Sequence, residues 1–164
     1  MTECPLERVD DFAPFCHGTD RWSAERIDIE GLKSAMDAGR TSIHIGSSKS
    51  LEDRIYFGTT VTRRGCEKCV EGALMAAKKA MRARGVEGNN KDYAVIYLMK
   101  RIPPDVDIIV DEDIYVGTDR KVSFSPIESL RHVHSVAVRG TVPPGYLQKM
   151  GVAEFERTFR CRCG

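Results

Sequence analysis

A nearly continuous apolar run, "YAVIYLMKRI" at residues 93–102, constrains the fold more than any other stretch of the chain. Runs of this kind are typical of a central strand that is buried on both faces of a sheet. Pro103 and Pro104 end the run, because proline cannot donate to the hydrogen-bond ladder of a sheet. The sequence therefore predicts an interior β-strand at this place.

The strongest helix is predicted shortly before that strand, over Cys66–Arg84. Alanine and methionine, which favour helix, dominate the segment. Basic residues crowd its last turn, where they interact favourably with the helix dipole. Its apolar residues recur at helical spacing: Val70, Leu74, Ala77 and Met81.

The other elements follow from apolar period and turn residues. A short buried strand is predicted over 13–19, followed by a helix that Asp20 or Ser23 caps and that ends near Gly31. The apolar positions of this helix are Trp22, Ile27, Ile29 and Leu32. Further strands are predicted over 41–47, 53–60, 105–117, 121–125 and 134–140, and a short helix within 145–164. This pattern indicates the α+β class.

Length and charge limit the classes of function. A chain of 164 residues is long enough for one domain, and we expect a single domain over 1–164, with an N-terminal extension over 1–12 and a basic, cysteine-containing tail over 151–164. The formal net charge of +1 gives no overall field that attracts nucleic acid or an anionic membrane. The N-terminus does not read as a signal peptide, and no apolar run approaches the roughly 20 residues of a membrane span. We therefore expect a cytoplasmic protein without membrane contact.

The cysteines suggest a metal site. In a reducing compartment we interpret the six cysteines as thiols or metal ligands before disulfides. Cys66 and Cys69, together with Cys161 and Cys163, supply four thiolates, the number that a structural tetrahedral zinc site uses. The alternative is that these are four unrelated thiols. A zinc ion bound here would tie the tail to the start of the long helix.

Two short predicted strands end in similar signatures, "HGT" at His17–Thr19 and "YFGTT" at Tyr56–Thr60. An alanine-rich helix, a long apolar strand and a late strand running into "VPPGYL" follow in order. This arrangement resembles the ADP-ribosyltransferase superfamily. The resemblance implies a split antiparallel β-sheet with peripheral helices that clamps NAD, and a reaction that transfers ADP-ribose to a macromolecular acceptor, either protein or nucleic acid.

The resemblance also implies how NAD is held. His17 and Thr19 hold the adenosine-ribose and carboxamide side, Gly18 offers its backbone, and Tyr56 stacks on the nicotinamide. An aromatic face suits a cationic ring, and a glycine allows close approach of the backbone. The alternative for His17 is a satisfied buried histidine. Because Tyr56 and Phe57 point to opposite faces of a strand, one of the two must belong to the core.

A carboxylate is expected near the ribose, because cleavage of the glycosidic bond passes through an oxocarbenium-like state that negative charge stabilises. In many members of the superfamily a glutamate begins the strand that runs into the Pro-Pro segment, and here that place holds His134 and Ser135. Glu128, in the segment before this strand, is the first candidate, and Glu112 is the second. The alternative for both is a solvated loop carboxylate.

The first quarter of the chain also resembles the RNA 2′-phosphotransferases. The stretch "CHGTDRWSAERIDIEGLKSAMDAGRTSIHI" carries this likeness, although the first of two histidines in the family's His-Ile-His strand is replaced by Ser42. By this resemblance Arg40 contacts a phosphate, and the alternative is a solvated loop cation. His44 is interpreted either as a structural residue or as a residue at the edge of the cleft that binds the nucleotide. Two alternatives to an ADP-ribosyltransferase thus remain: an RNA 2′-phosphotransferase-like enzyme, and a non-catalytic nucleotide- or RNA-binding module on the same fold.

Overall fold

A computed structural model describes residues 6–38, 53–118 and 122–159. Their strands are β1 (Phe15–Asp20), β2 (Ile55–Thr59), β3 (Ala94–Met99), β4 (Asp107–Val110), β5 (Ser135–Arg139) and β6 (Leu147–Gly151). Their α-helices are α1 (Arg21–Glu30), α2 (Arg63–Arg84), α3 (Pro126–Val133) and α4 (Val152–Thr158). The predicted α+β class is confirmed. Within the described ranges, no helix combines the length and apolar character needed to cross a membrane.

The six strands form one antiparallel sheet in the order β4-β5-β2-β1-β3-β6. β1 pairs with β3 along its whole length, from Phe15 to Asp20. Its ladder with β2 contains only the pairs Phe15–Thr59 and Cys16–Gly58. The described part of the sheet therefore consists of two halves, β4-β5-β2 and β1-β3-β6, which are joined at one end and diverge beyond Cys16.

The sheet has a hydrophobic core on each face. One core contains Phe15, Phe57 and Tyr97 with side chains of α1 and α3. The other contains Ile96 and Leu98 with side chains of α2 and α4. β3 contributes to both cores, since Ile96, Tyr97, Leu98 and Met99 are all buried, and this is the two-faced strand that the apolar run predicts.

Where helix α2 crosses β1 and β2, the backbone of the helix contacts the backbone of the strands, because the strand residues at the crossing are glycines. A Cβ added to Gly18 would lie 2.3 Å from the backbone nitrogen of Ala73 and from the carbonyl oxygen of Cys69. A Cβ on Gly58 would lie 2.5 Å from the carbonyl oxygen of Gly65. Contacts this short exclude any side chain, so the two glycines set how closely the helix approaches the sheet.

Helix α1 begins and ends as its sequence indicates. Asp20 is the N-cap and accepts from the backbone N–H of Ser23 over 2.9 Å, while the Ser23 hydroxyl donates to the same carboxylate over 2.6 Å. Gly31, with φ of +85°, terminates the helix. Of the apolar positions of this helix, Ile27 is buried, whereas Ile29 is 82% exposed.

Four parts of the fold differ from the sequence-based expectations. Residues 112–115 form a 3₁₀ helix after β4 instead of a strand, and residues 122–125 are not in a strand. The segment before β5 is helix α3, and the edge strand β6 precedes α4, the short helix expected within 145–164. The predicted strand over 41–47 lies outside the described residues.

Segments near both ends of the chain contribute to the cores. Phe12, in the expected N-terminal extension, is 1% exposed and packs in the first core. Val152 and Phe155, in the expected tail, are buried in the second core. Residues 160–164 lie outside the described part of the chain.

Candidate functional site

A cavity of about 730 Å³ opens where β1 and β2 diverge. His17, Gly18 and Thr19 line it from β1, and Ile55 and Tyr56 line it from β2. Helix α2 and the turn that carries Glu112 complete the wall. The structure thus brings the HGT and YFGTT signatures together at the place where the sheet splits.

His17 bridges the two diverging strands. Its Nδ1–H donates to the carbonyl oxygen of Tyr56 over 2.7 Å, since a carbonyl can only accept. This bond fixes the tautomer of the neutral ring, in which Nε2 is then the acceptor. The ring also lies 5.6 Å from the ring of Phe57, centroid to centroid. His17 is therefore held in one orientation at the cavity wall.

Tyr56 and Phe57 point to opposite faces of β2, as the two-residue period of a strand requires. Phe57 is fully buried in the core, whereas Tyr56 is half-buried at the cavity. The Tyr56 hydroxyl donates to the carboxylate of Glu112 over 2.5 Å. Arg54 donates to the other oxygen of the same carboxylate, so both oxygens of Glu112 are oriented.

Arg54 is itself fixed by a second carboxylate. Its Nε donates to Asp53 over 2.7 Å, and this hydrogen bond, opposed by burial and assisted by Glu112, raises the pKa of the guanidinium. The same pair lowers the pKa of Asp53. Glu112 is consequently a carboxylate that a permanent cation and a phenol hold at the cavity wall.

Lys68 of α2 anchors the turn that bears Glu112. Its Nζ lies 3.9 Å from Asp111 and 3.7 Å from Asp113, the residues on either side of Glu112. It also lies 3.0 Å from the Ser135 hydroxyl, which donates to Asp111 over 2.5 Å. Lys68 and Asp111 are 12% and 9% exposed, so this network is mostly shielded from water.

The cavity continues along α2, and side chains of both charges line it. Beyond Lys68 the helix lines it with small side chains: Gly72, Ala76, Ala80 and Ala83. Carboxylates of Asp111, Glu112 and Asp113 lie at the Lys68 end. Four basic residues, Arg26, Lys33, Lys79 and Arg84, also line the cavity, as does Asp20. Lys68 and Arg84 are 16 residues apart, so the helix axis between them spans about 24 Å.

The structure places Glu128 away from this cavity. It lies in the first turn of α3 and forms a capping box with Ser125, whose backbone N–H donates to it over 3.0 Å. That bond and the Ser125 hydroxyl lower its pKa. Glu128 does not line the cavity, and the second candidate, Glu112, is the glutamate that does.

The expected four-thiolate zinc site does not fit the described cysteines. Cys69 forms a disulfide with Cys16, so the interpretation of these two as thiols is wrong. The physical reason is the glycine-mediated approach of α2 to β1, which brings their Cα atoms to 6.0 Å. Cys66 Sγ lies 3.4 Å from the carbonyl oxygen of Thr60. Cys161 and Cys163 lie outside the described residues, and within those residues no three His, Cys, Asp or Glu side chains form a metal-binding group.

The remaining predicted site residues are placed as follows. Thr19 is buried at the cavity wall, and Gly18 is required sterically by α2 as well as lining the cavity. Arg40 and His44 lie outside the described residues. Sequence reasoning missed Arg54 and Lys68, because a cation beside a strand or on a helix is ordinarily solvated and nothing in its local sequence signals burial.

Comparison of this chain with protein-family models, with curated proteins and with solved structures finds no match.

Proposed function

We propose that the protein is an NAD-dependent ADP-ribosyltransferase whose cavity between β1 and β2 binds NAD and whose Glu112 acts at the nicotinamide ribose. The observation that carries the proposal is that Tyr56 is hydrogen-bonded both to Glu112, through its hydroxyl, and to His17, through its carbonyl, at the point where the antiparallel sheet splits. Such a split sheet is the fold that the ADP-ribosyltransferase resemblance implies. No other described glutamate lines the cavity.

The chemistry expected of these residues follows from their charges. Departure of nicotinamide leaves positive charge on the ribose, and a preorganised carboxylate at that position lowers the barrier. Arg54 and Tyr56 already orient Glu112, so no reorganisation is needed when the charge develops. The Tyr56 ring provides a flat aromatic surface for the cationic nicotinamide.

The charge distribution along α2 favours one orientation of NAD. The diphosphate is anionic and suits the part of the cavity lined by Arg26, Lys33, Lys79 and Arg84. The nicotinamide ribose, which becomes cationic, suits the end with Glu112. The small side chains of α2 between the two leave room for an extended ligand.

The test is nicotinamide release and NAD binding by the purified protein. We expect Glu112→Gln to reduce release by about 100-fold or more while NAD still binds, and His17→Ala to weaken NAD binding itself. Glu128→Gln is the discriminating variant, since its carboxylate only caps α3, and it should retain wild-type release. Glu154→Gln, on the exposed face of α4, is the matched control for removal of a carboxylate.

Other results of these assays would favour a different function for the protein or a different role for Glu112. NAD binding without release in the wild type would favour a non-catalytic nucleotide-binding module. Removal of phosphate from a 2′-phosphorylated RNA would favour the phosphotransferase-like reaction. Loss of release in Glu128→Gln with retention in Glu112→Gln would contradict the role given to Glu112.

A further inference from the structure

The Cys16–Cys69 disulfide is a covalent link between two elements that build the cavity wall. Cys16 belongs to β1 and directly precedes His17, whereas Cys69 belongs to α2 and directly follows Lys68. Both cysteines line the cavity, although the two residues are 0% and 3% exposed. A change at this bond therefore acts both on His17 and on Lys68, which holds the turn that bears Glu112.

Backbone atoms pack closely around the two sulfur atoms. Cys69 Sγ lies 3.0 Å from the carbonyl oxygen of Cys16, and a Cβ added to Gly58 would lie 2.9 Å from the same sulfur. Two thiols need more room than a disulfide, because sulfur atoms that are not bonded cannot approach each other as closely as bonded ones. After cleavage the sulfurs separate either by a shift of α2 away from β1 or by rotation of a thiol into the cavity. Both movements change the shape of the cavity.

The fold can also accommodate the reduced pair. A thiol is a weak hydrogen-bond donor, and each sulfur already has a carbonyl oxygen nearby, that of Cys16 for Cys69 and that of Gly58, 3.4 Å away, for Cys16. The close backbone contacts of α2 at Gly18 and Gly58 do not depend on the covalent bond. Because both forms have a place in the same fold, the bond can regulate the cavity in addition to stabilising the protein.

We propose that the Cys16–Cys69 disulfide is a redox switch of the cavity, which a small dithiol that enters the cavity opens. A thiolate of the dithiol attacks one of the two sulfurs and forms a mixed disulfide, which the second thiol of the reductant then resolves. The bond between Cys16 and Cys69 breaks and takes up two electrons and two protons to give two thiols, while the dithiol is oxidised to a disulfide. The change in structure depends on the cysteine pair alone, and its effect on nicotinamide release rests on the proposed function.

The test compares the oxidised protein with the protein treated with dithiothreitol under native conditions. We expect reduction to speed hydrogen exchange in residues 66–77 of α2 by about tenfold or more relative to β5, which serves as the internal reference. Nicotinamide release should fall by about 10- to 100-fold, because small displacements of positioning groups have effects of this size. By linkage, saturating NAD should slow the reduction, since a ligand that prefers the oxidised form opposes its loss.

Two variants assign the response to this bond. Cys16→Ala combined with Cys69→Ala should not respond to dithiothreitol, whatever its basal rate. Cys66→Ala, on the same helix but not at the cavity wall, should respond as the wild type does. Equal acceleration of exchange in α2 and β5 would overturn the proposal, as would a bond that resists dithiothreitol until denaturant is added. A change of exchange confined to α2 and β1, without nicotinamide release in either form, would support the switch and contradict the transferase.

Discussion

Lys68 and Asp113 face each other across the cavity wall, with Nζ and Oδ2 3.7 Å apart. One belongs to α2 and the other to the turn after β4, so this ion pair holds the Glu112-bearing turn against the helix. The pair is mostly shielded from water, with side chains 12% and 14% exposed. Breaking one partner of such a pair leaves a charge that is costly to accommodate.

Lys68 is accordingly expected to act as a positioning residue for Glu112. In an active transferase, Lys68→Met should lower kcat for nicotinamide release by about 10- to 100-fold while KM changes little, because misplacement of a catalytic group affects the reacting centre more than binding. Lys68→Arg should restore part of the rate. Lys78→Met, an exposed lysine on the same helix, serves as the control. A rise in KM at constant kcat would assign Lys68 to substrate binding instead.

Gly18→Ala should destabilise the protein by about 3 kcal/mol, because overpacking forces backbone shifts. The added Cβ would lie 2.3 Å from two backbone atoms of α2, which cannot move away as a flexible side chain can. Urea unfolding measures the change. Gly145→Ala is the control, since no atom lies within 4 Å of its Cβ position, and it should be close to neutral. Equal stability of the two variants would contradict the backbone contact between α2 and β1.

The disulfide between Cys16 and Cys69 should stabilise the fold substantially. It closes a loop with a sequence separation of 53 residues, and the loss of chain entropy in the unfolded state corresponds to about 4 kcal/mol. The double variant Cys16→Ala and Cys69→Ala should therefore unfold at lower urea concentration than the wild type under non-reducing conditions. Peptide mapping without reduction should recover the Cys16–Cys69 link. Recovery of alkylated thiols at both positions would show that the bond is absent in solution.

His134 should make stability depend on pH. Burial, together with the positive charges of Lys68, Arg64 and His132, lowers its pKa below the ordinary 6.5. Its Nδ1 lies 3.0 Å from the Thr62 hydroxyl, which donates to it in the neutral form. The folded state thus favours neutral His134, so stability is greatest above pH 6.5 and falls as the pH drops toward the lowered value.

Replacement of His134 isolates this effect. The residue has φ of +63°, a conformation that asparagine tolerates, so His134→Asn should fold normally. The fall in unfolding free energy between pH 7.5 and pH 5.5 should be smaller in this variant than in the wild type. Parallel pH profiles of the two proteins would contradict the assignment.

The elements with regular apolar patterns could be predicted from the sequence. The interior strand β3 and the helix α2 carry unbroken or helically spaced apolar residues, and their end signals are explicit. β6 was missed because only Met150 of its residues is buried, so an edge strand of this kind has no clear alternation. Helix α3 was missed although Ser125-Pro126 followed by Glu128 is a capping box with proline at the first position.

The site was predictable only where it depends on local sequence. The HGT and YFGTT signatures mark β1 and β2, and the structure brings His17 and Tyr56 into contact. The choice between Glu112 and Glu128 depends on which turn reaches the cavity, and no local pattern contains that information. The Cys16–Cys69 bond likewise follows from the crossing of α2 over β1, a contact between segments distant in sequence.

The two half-sheets are joined at the pairs Phe15–Thr59 and Cys16–Gly58, and the angle between β1 and β2 at this joint sets the distance between the cavity walls. His17 and Thr19 pair with β3, whereas Tyr56 pairs with β5. Asp20 is four residues beyond the joint at Cys16, about 13 Å along the strand. A small change of angle at the buried pair Phe15–Thr59 is therefore multiplied along the strands. Substitutions at these two core positions, which touch no ligand, should alter the spacing of the walls more than substitutions at the mouth.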